Sequence, residues 1–184
     1  MDSRFTSSSE NDLSDRLFLE HAGHRMTDLL PERDTINFGD LPEEIDALLQ
    51  QGVAVYRHDR AQADRLFRRA LAAAPAQLPI YFCLYKIHTY QGHLDEAQIA
   101  AEGGLREAAS QAGWDADWRQ WQPQPVIPDG PGRFALYTLK ALAFIHLRRD
   151  EQHQANQMLA ALRRLDPAGA VGWPVVAALA EGVV

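Results

Sequence analysis

LPEEIDALLQQGVAVYRHDRAQADRLFRRALAAAP, residues 41–75, is the stretch whose reading decides the fold. Pro42 suits the first turn of a helix, because the N–H it lacks would have no intrahelical partner there. Helical signal follows to about Tyr56, and Arg57-His58-Asp59 makes a short turn. Asp59 can cap a second helix, predicted to run to Ala74 and to stop at Pro75. Within that second helix Ala63, Phe67, Ala70 and Pro75 are spaced 4, 3 and 5 residues apart. Two helices joined by a tight turn form one hairpin, and its small and large apolar positions alternate at helical spacing.

Reading outward, the hairpin recurs. A third helix is predicted over Ile80 to Tyr90, broken at Gly92, and a fourth from near Leu94 to about Gln111. Residues 113–132, GWDADWRQWQPQPVIPDGPG, hold three of the four tryptophans and four prolines and read as a long connection. Helices return at Arg133 to Leu147 and Glu151 to Leu165, and Asp166-Pro167 is expected to open a final short helix. Ala155, Leu159, Leu162 and Pro167 repeat the intervals 4, 3 and 5, while the middle unit offers Ala97, Ala101 and Gly104. Helix pairs of about 34 residues mark a repeat architecture, in which one unit cannot bury its apolar face alone. Toward the N-terminus, residues 1–10 read as a disordered start. Leu13, Leu17, Phe18, Ala22, Met26, Leu29 and Leu30 mark a helix that Pro31 ends, so 11–41 forms an acidic helix and loop ahead of a repeat domain at 42–184.

On these intervals, and on the small Gly52 and Ala143 late in two first helices, the chain resembles the tetratricopeptide (TPR) family over roughly residues 43–168. Three features depart from that pattern. The first turn is one residue short, Ala109 stands where the middle unit should have a proline, and Leu48, Tyr81 and Leu139 replace the family's tryptophan. The resemblance implies an all-α, right-handed solenoid of about three helical hairpins with a capping helix at each end. Residues 11–30 would cover one end, and residues 168–184, with Val171, Trp173, Val176 and Leu179, the other.

The resemblance also implies a concave groove lined by the first helix of each pair. Its inward residues would be Tyr56, Arg57, Phe82, Lys86, Thr89, Tyr90, Tyr137, Lys140, Phe144 and Arg148. Aromatics interleaved with cations suit an acidic peptide or a C-terminal carboxylate. The expected role is therefore a non-catalytic protein- or peptide-binding adaptor or assembly chaperone. The alternative is a structural or homo-oligomerisation module, with the chain forming a homodimer. Trp114, Trp118 and Trp121 recur at intervals of four and three. Exposed, they would form a partner patch; folded back, which is the favoured expectation, they would fill a gap in the fold. The stretch GWDADWRQWQP (113–123) and the ending LRRLDPAGAVGW (162–173) are similar to short TPR-type accessory proteins encoded beside bacterial nitrogen-fixation or related metalloenzyme genes. That similarity implies a metalloenzyme subunit or an assembly factor as partner.

Charge narrows the classes. The net charge is −7, but residues 1–50 hold 12 Asp plus Glu against 4 Arg, whereas residues 51–184 hold 13 acids against 14 bases. An acidic arm ahead of a near-neutral body reads as an interaction arm, and it has the charge to lie over the cationic groove. Overall acidity argues against nucleic-acid binding, which needs a basic face. No signal-peptide pattern or membrane-length apolar run is visible, and a single cysteine forms no internal disulfide, so the expected location is cytoplasmic.

Catalytic motifs are missing: there is no phosphate loop, no nucleophile elbow and no dinucleotide fingerprint. His21 and His24, three apart, lack the spacing and the third ligand of a zinc site. His88 and His146 fall at equivalent places in two first helices and are expected to pack with a ring nitrogen bonded. Cys83 reads as a buried small hydrophobe. No enzyme activity, cofactor or metal is expected.

Overall fold

A computed structural model describes residues 36–182, which contain seven α-helices. In chain order these are α1 (Glu43–Tyr56), α2 (Arg60–Ala73), α3 (Leu78–Gln91), α4 (Leu94–Ala112), α5 (Pro131–Arg148), α6 (Gln152–Leu165) and α7 (Trp173–Ala180). A single 3-10 turn, Trp118–Gln120, interrupts the connection between α4 and α5. No strand occurs among the described residues, and none of their helices is long and apolar enough to cross a membrane. The expectations for residues 1–10, for the helix at 11–30 and for His21 and His24 lie outside the described residues.

Local chemistry accounts for most boundaries. Glu43, Glu44 and Asp46 place negative charge at the start of α1, where the helix dipole favours it. The Asp59 carboxylate accepts the Gln62 N–H at 2.8 Å, capping α2. Gly92 and Gly113 end α3 and α4 with φ of 76° and 68°, left-handed values that cost glycine little. Pro79 and Pro131 sit in first turns, so α3 and α5 each begin two residues earlier than the sequence expectation.

The last helix begins later than expected. Asp166 does not open it: its two carboxylate oxygens accept the N–H groups of Ala170 and Val171 at 2.9 and 2.8 Å. Gly169 and Gly172 then turn the chain through positive φ before Trp173 starts α7.

Each helix packs on its neighbours in sequence, and α5 also touches α3 and α7. The short turns within the pairs α1/α2, α3/α4 and α5/α6 make their members antiparallel. The recurrent small positions allow close approach. Ala63, Ala70, Ala97, Ala101 and Ala155 are fully buried, and Phe67, Leu159 and Leu162 fill the space between helices. A Cβ added at Gly52 would stand 2.3 Å from the Phe67 ring, so only hydrogen fits there. Gly104 meets Tyr81 in the same manner across α3 and α4.

Two apolar clusters result. One joins α1, α2 and α3 around Leu49, Phe67 and Ile80, and the other gathers α3 to α7 around Leu136, Leu139, Leu142 and Leu162. Phe82 and Ala100 touch both. At the C-terminal end Val171, Trp173 and Val176 are buried against α5 and α6, while Leu179 is exposed.

Candidate functional site

Helices α3 and α5 are the central elements. Cys83 to Thr89 in α3 and Ala135 to Ala143 in α5 are buried at every consecutive position. A helix apolar on one stripe only would alternate, so these two are enclosed on all sides. Two of the enclosed residues are lysines, Lys86 at 8% exposure and Lys140 at 1%.

The rings beside them define the site. The Lys86 Nζ lies 5.0 Å over the Phe82 ring and 5.5 Å over Tyr90, and the Lys140 Nζ lies 3.9 Å over Tyr137. Phe82 and Tyr137 face each other across the two helices with centroids 6.1 Å apart, and Tyr85 meets Phe82 edge-on at 5.6 Å. Two ammonium groups are thus joined through a bridge of aromatic faces, whose negative quadrupoles favour cations. Burial, and then the charge of Lys140, push the Lys86 ammonium down to about 7, with Cys83 partly opposing.

The ten expected groove residues therefore divide. Phe82, Lys86, Tyr90, Tyr137 and Lys140 come together. Phe144 and Arg148 continue the same stripe along α5, with the guanidinium 5.9 Å over the ring. Thr89 is buried, and its hydroxyl donates to the Tyr85 carbonyl oxygen at 2.6 Å, a bond back to its own helix that takes the O–H away from any ligand. Tyr56 packs against the first cluster with the Arg60 guanidinium 5.8 Å over its ring, and Arg57 is exposed beyond the end of α1. Lys86 and Lys140 are buried among these rings.

The tryptophans are folded back. Trp121 is buried, its ring 4.8 Å from Trp114, and its indole N–H donates to the Asp115 carbonyl at 2.7 Å. Arg164 of α6 donates to the Trp121 carbonyl at 2.7 Å, fastening the connection to the last helix pair. Trp114 and Trp118 pack half-buried on the second cluster, with Arg119 stacked 4.3 Å over Trp118. A surface patch of three rings does not form, because Trp121 is inside, Trp114 lies against it and Trp118 packs on the core.

Other ionisable groups hold the scaffold. His88 Nε2 lies 2.9 Å from an Asp64 oxygen, and His146 Nδ1 lies 2.5 Å from Glu151. Arg149 joins Asp95 and Glu151, tying the turn after α5 to the start of α4. The His146 hydrogen bond, followed by that of Arg149, keeps the Glu151 carboxyl below the usual range. The buried Cys83 thiol is pushed up to about 12 by burial, so it is not a thiolate near neutrality. Among the described residues no group of three or more His, Cys, Asp or Glu could hold a metal ion.

Sequence reasoning missed two residues that matter. Asp166 is fully buried and organises the turn into α7, and its cue was the run of glycine and alanine that supplies free N–H groups after it. Tyr85 is buried beside Phe82, and no signal in the helical spacing set it apart from the core. No family model matches the chain, and neither a curated protein nor a solved structure matches it.

Proposed function

We propose that the chain is a TPR-like right-handed α-solenoid, three helical hairpins closed by end helices, that holds an acidic segment of another protein without catalysing a reaction. The observation that carries this reading is the pair Lys86 and Lys140, which stand on the first helices of successive pairs and are joined through Phe82 and Tyr137. An acidic segment brought to this face would meet these cations, and the surrounding rings supply contact area with little side-chain entropy to lose. The repeat reading is supported by buried residues that recur at intervals of four and three in each second helix, Ala63/Phe67/Ala70, Ala97/Ala101/Gly104 and Ala155/Leu159/Leu162, and by Pro75 and Pro167, each two residues beyond the end of a second helix. In this role the protein is an adaptor or assembly chaperone, and a subunit or assembly factor of a metalloenzyme is the partner suggested by its Trp-rich connection and C-terminal turn.

The test is fluorescence anisotropy with labelled peptides of equal length that are acidic, neutral or basic, titrated with the full chain at low and high salt. Acidic peptides are expected to bind at low salt. Lys86→Met and Lys140→Met, which keep the apolar stem and remove the charge, should each weaken binding by about tenfold, equivalent to ~1.4 kcal/mol. Circular dichroism on the same samples shows that the variants remain folded. Equal binding of all three peptides, or unchanged affinity in both variants, ends the reading.

A further inference from the structure

His88, near the end of α3, is only 5% exposed, and its ring is hydrogen-bonded on one edge. Nε2 lies 2.9 Å from an Asp64 oxygen of α2. An ionised carboxylate can only accept, so Nε2 carries the hydrogen and Nδ1 the lone pair. The Arg68 guanidinium is also near Nε2, at the longer distance of 3.4 Å, and is itself bound to the other Asp64 oxygen at 2.8 Å. Nδ1 is enclosed and has no hydrogen-bond partner among the described residues.

His146 is the counterpart of His88 in α5. Gly92 and Asp150 follow the two histidines by four residues, both at positive φ, and each histidine carbonyl accepts the N–H five residues on at 2.9 Å. His146 Nδ1 faces Glu151, and neither of its ring nitrogens is left buried without a partner. The unpaired nitrogen is therefore a property of the α2/α3 joint and not of the repeat position.

The charged and titratable groups around His88 are Asp64 and Arg68 of α2, His93 in the turn before α4, with ring centroids 5.9 Å apart, and Glu96 of α4. Lys140, which bears on α3 from α5, acts on Lys86, about 200° round the helix from His88. A proton on Nδ1 gains from Asp64 and Glu96, but it makes a buried donor with no acceptor, beside Arg68. Burial outweighs the two carboxylates and holds the ring below its ordinary value of 6.5. The first hairpin meets the rest of the described molecule chiefly where α2 packs on α3, so the Asp64–His88 bond spans that joint.

We propose that His88 is a proton-sensitive latch between the first two hairpins: neutral, it ties α2 to α3, and protonated, it puts an unpaired N–H into their joint and shifts the α1/α2 hairpin toward an open form. The open form frees the ring, binds the proton more tightly and is therefore favoured as pH falls below about 6.5. What acid controls is access to the α3 surface that α2 covers. The latch is independent of the acidic-peptide reading, because none of its groups belongs to that site.

Two measurements on the full chain test it. Nitrogen NMR of the imidazoles is expected to show His88 as the Nε2–H tautomer, still neutral at a pH where the exposed His58, His93 and His153 have titrated. A His88 that titrates with them, or above them, overturns the latch. Amide hydrogen exchange, corrected for intrinsic rates, is then compared at about pH 6.8 and about pH 5.5, a window below the Lys86 value of about 7. Opening of α1 and α2 should increase about three- to sevenfold, the upper figure being the limit for one proton with an open-state value of 6.5. These helices should also exchange faster than α5 and α6 at both pH values, as they do when the first hairpin opens by itself. His88→Gln is expected to abolish the acid gain, whereas Asp64→Asn keeps an acceptor for the Nε2–H and should retain it. Equal protection in all helices, or a gain that survives in His88→Gln, overturns the inference. So does loss of the gain in Asp64→Asn, which assigns the proton to Asp64. Should His88→Gln not fold, the native titration and Asp64→Asn decide the matter.

Discussion

At the scale of single residues, Lys86 is the group whose chemistry the fold changes most. Its ordinary value of 10.5 falls to about 7, through burial first and the charge of Lys140 second. Between those values the unfolded chain holds a proton that the folded chain has released. Stability from this group therefore rises with pH above about 7 and is lowest below it. Cys83 works the other way at higher pH: its thiol is pushed up on folding, so the unfolded chain ionises first and gains. The burial-lowered His88 acts only below neutrality. Urea midpoints measured from about pH 7 to about pH 8.5 should rise in the native chain and stay level in Lys86→Met. A slope that survives the substitution would assign the effect to another group. None of this was legible in the sequence, where Lys86 reads as one cation on a helix face; its burial depends on Phe82, Tyr90 and a helix more than 40 residues further on.

Elements were more legible than residues, because helix limits follow from neighbours in the chain. Asp59, Gly92 and Gly113 act where the sequence places them, and the prolines shift two starts by only a turn's fraction. The exception is the C-terminal turn. An Asp-Pro pair resembles a helix start, yet the Asp166 carboxylate is used twice on backbone N–H groups and its own carbonyl accepts the Trp173 indole N–H at 2.7 Å. Asp166→Ala strips two backbone donors of their acceptor, that of Val171 buried and that of Ala170 part-buried, and a loss of ~2–3 kcal/mol is expected in urea denaturation. Asp166→Asn keeps one acceptor oxygen and should recover part of that loss. Equal stability of all three proteins would show that the turn is held by the Trp173 contact alone.

For the whole molecule, Phe82 is, with Ala100, where the two apolar clusters meet, packing against both while its ring faces Tyr137. All four tryptophans lie at or beyond residue 114, so their fluorescence follows the second cluster, whereas far-ultraviolet circular dichroism follows every helix. The two signals should give one transition in the native chain. In Phe82→Ala the dichroism is expected to begin falling at lower urea than the fluorescence, as the α1 and α2 end loosens first. Coincident curves in the variant would mean that Ala100 and the backbone packing of α3 carry the coupling unaided.

The same scale separates what the chain alone determined from what its tertiary structure decided. Sequence determined the all-helical class, the pairing of helices and the small residues at their contacts, because periodicity, caps and turn chemistry are local properties of a few neighbouring side chains. That Phe82, Lys86, Tyr90, Tyr137 and Lys140 face one side was implied only by the resemblance to the TPR pattern, not by local properties of the chain. Tertiary packing decided that both lysines are enclosed, that Thr89 turns to its own helix, and that Trp121 is inside while Trp114 and Trp118 rest on the core. Burial is set by which distant element covers a side chain, and that information is spread over the whole chain and does not reside in the residue or its neighbours.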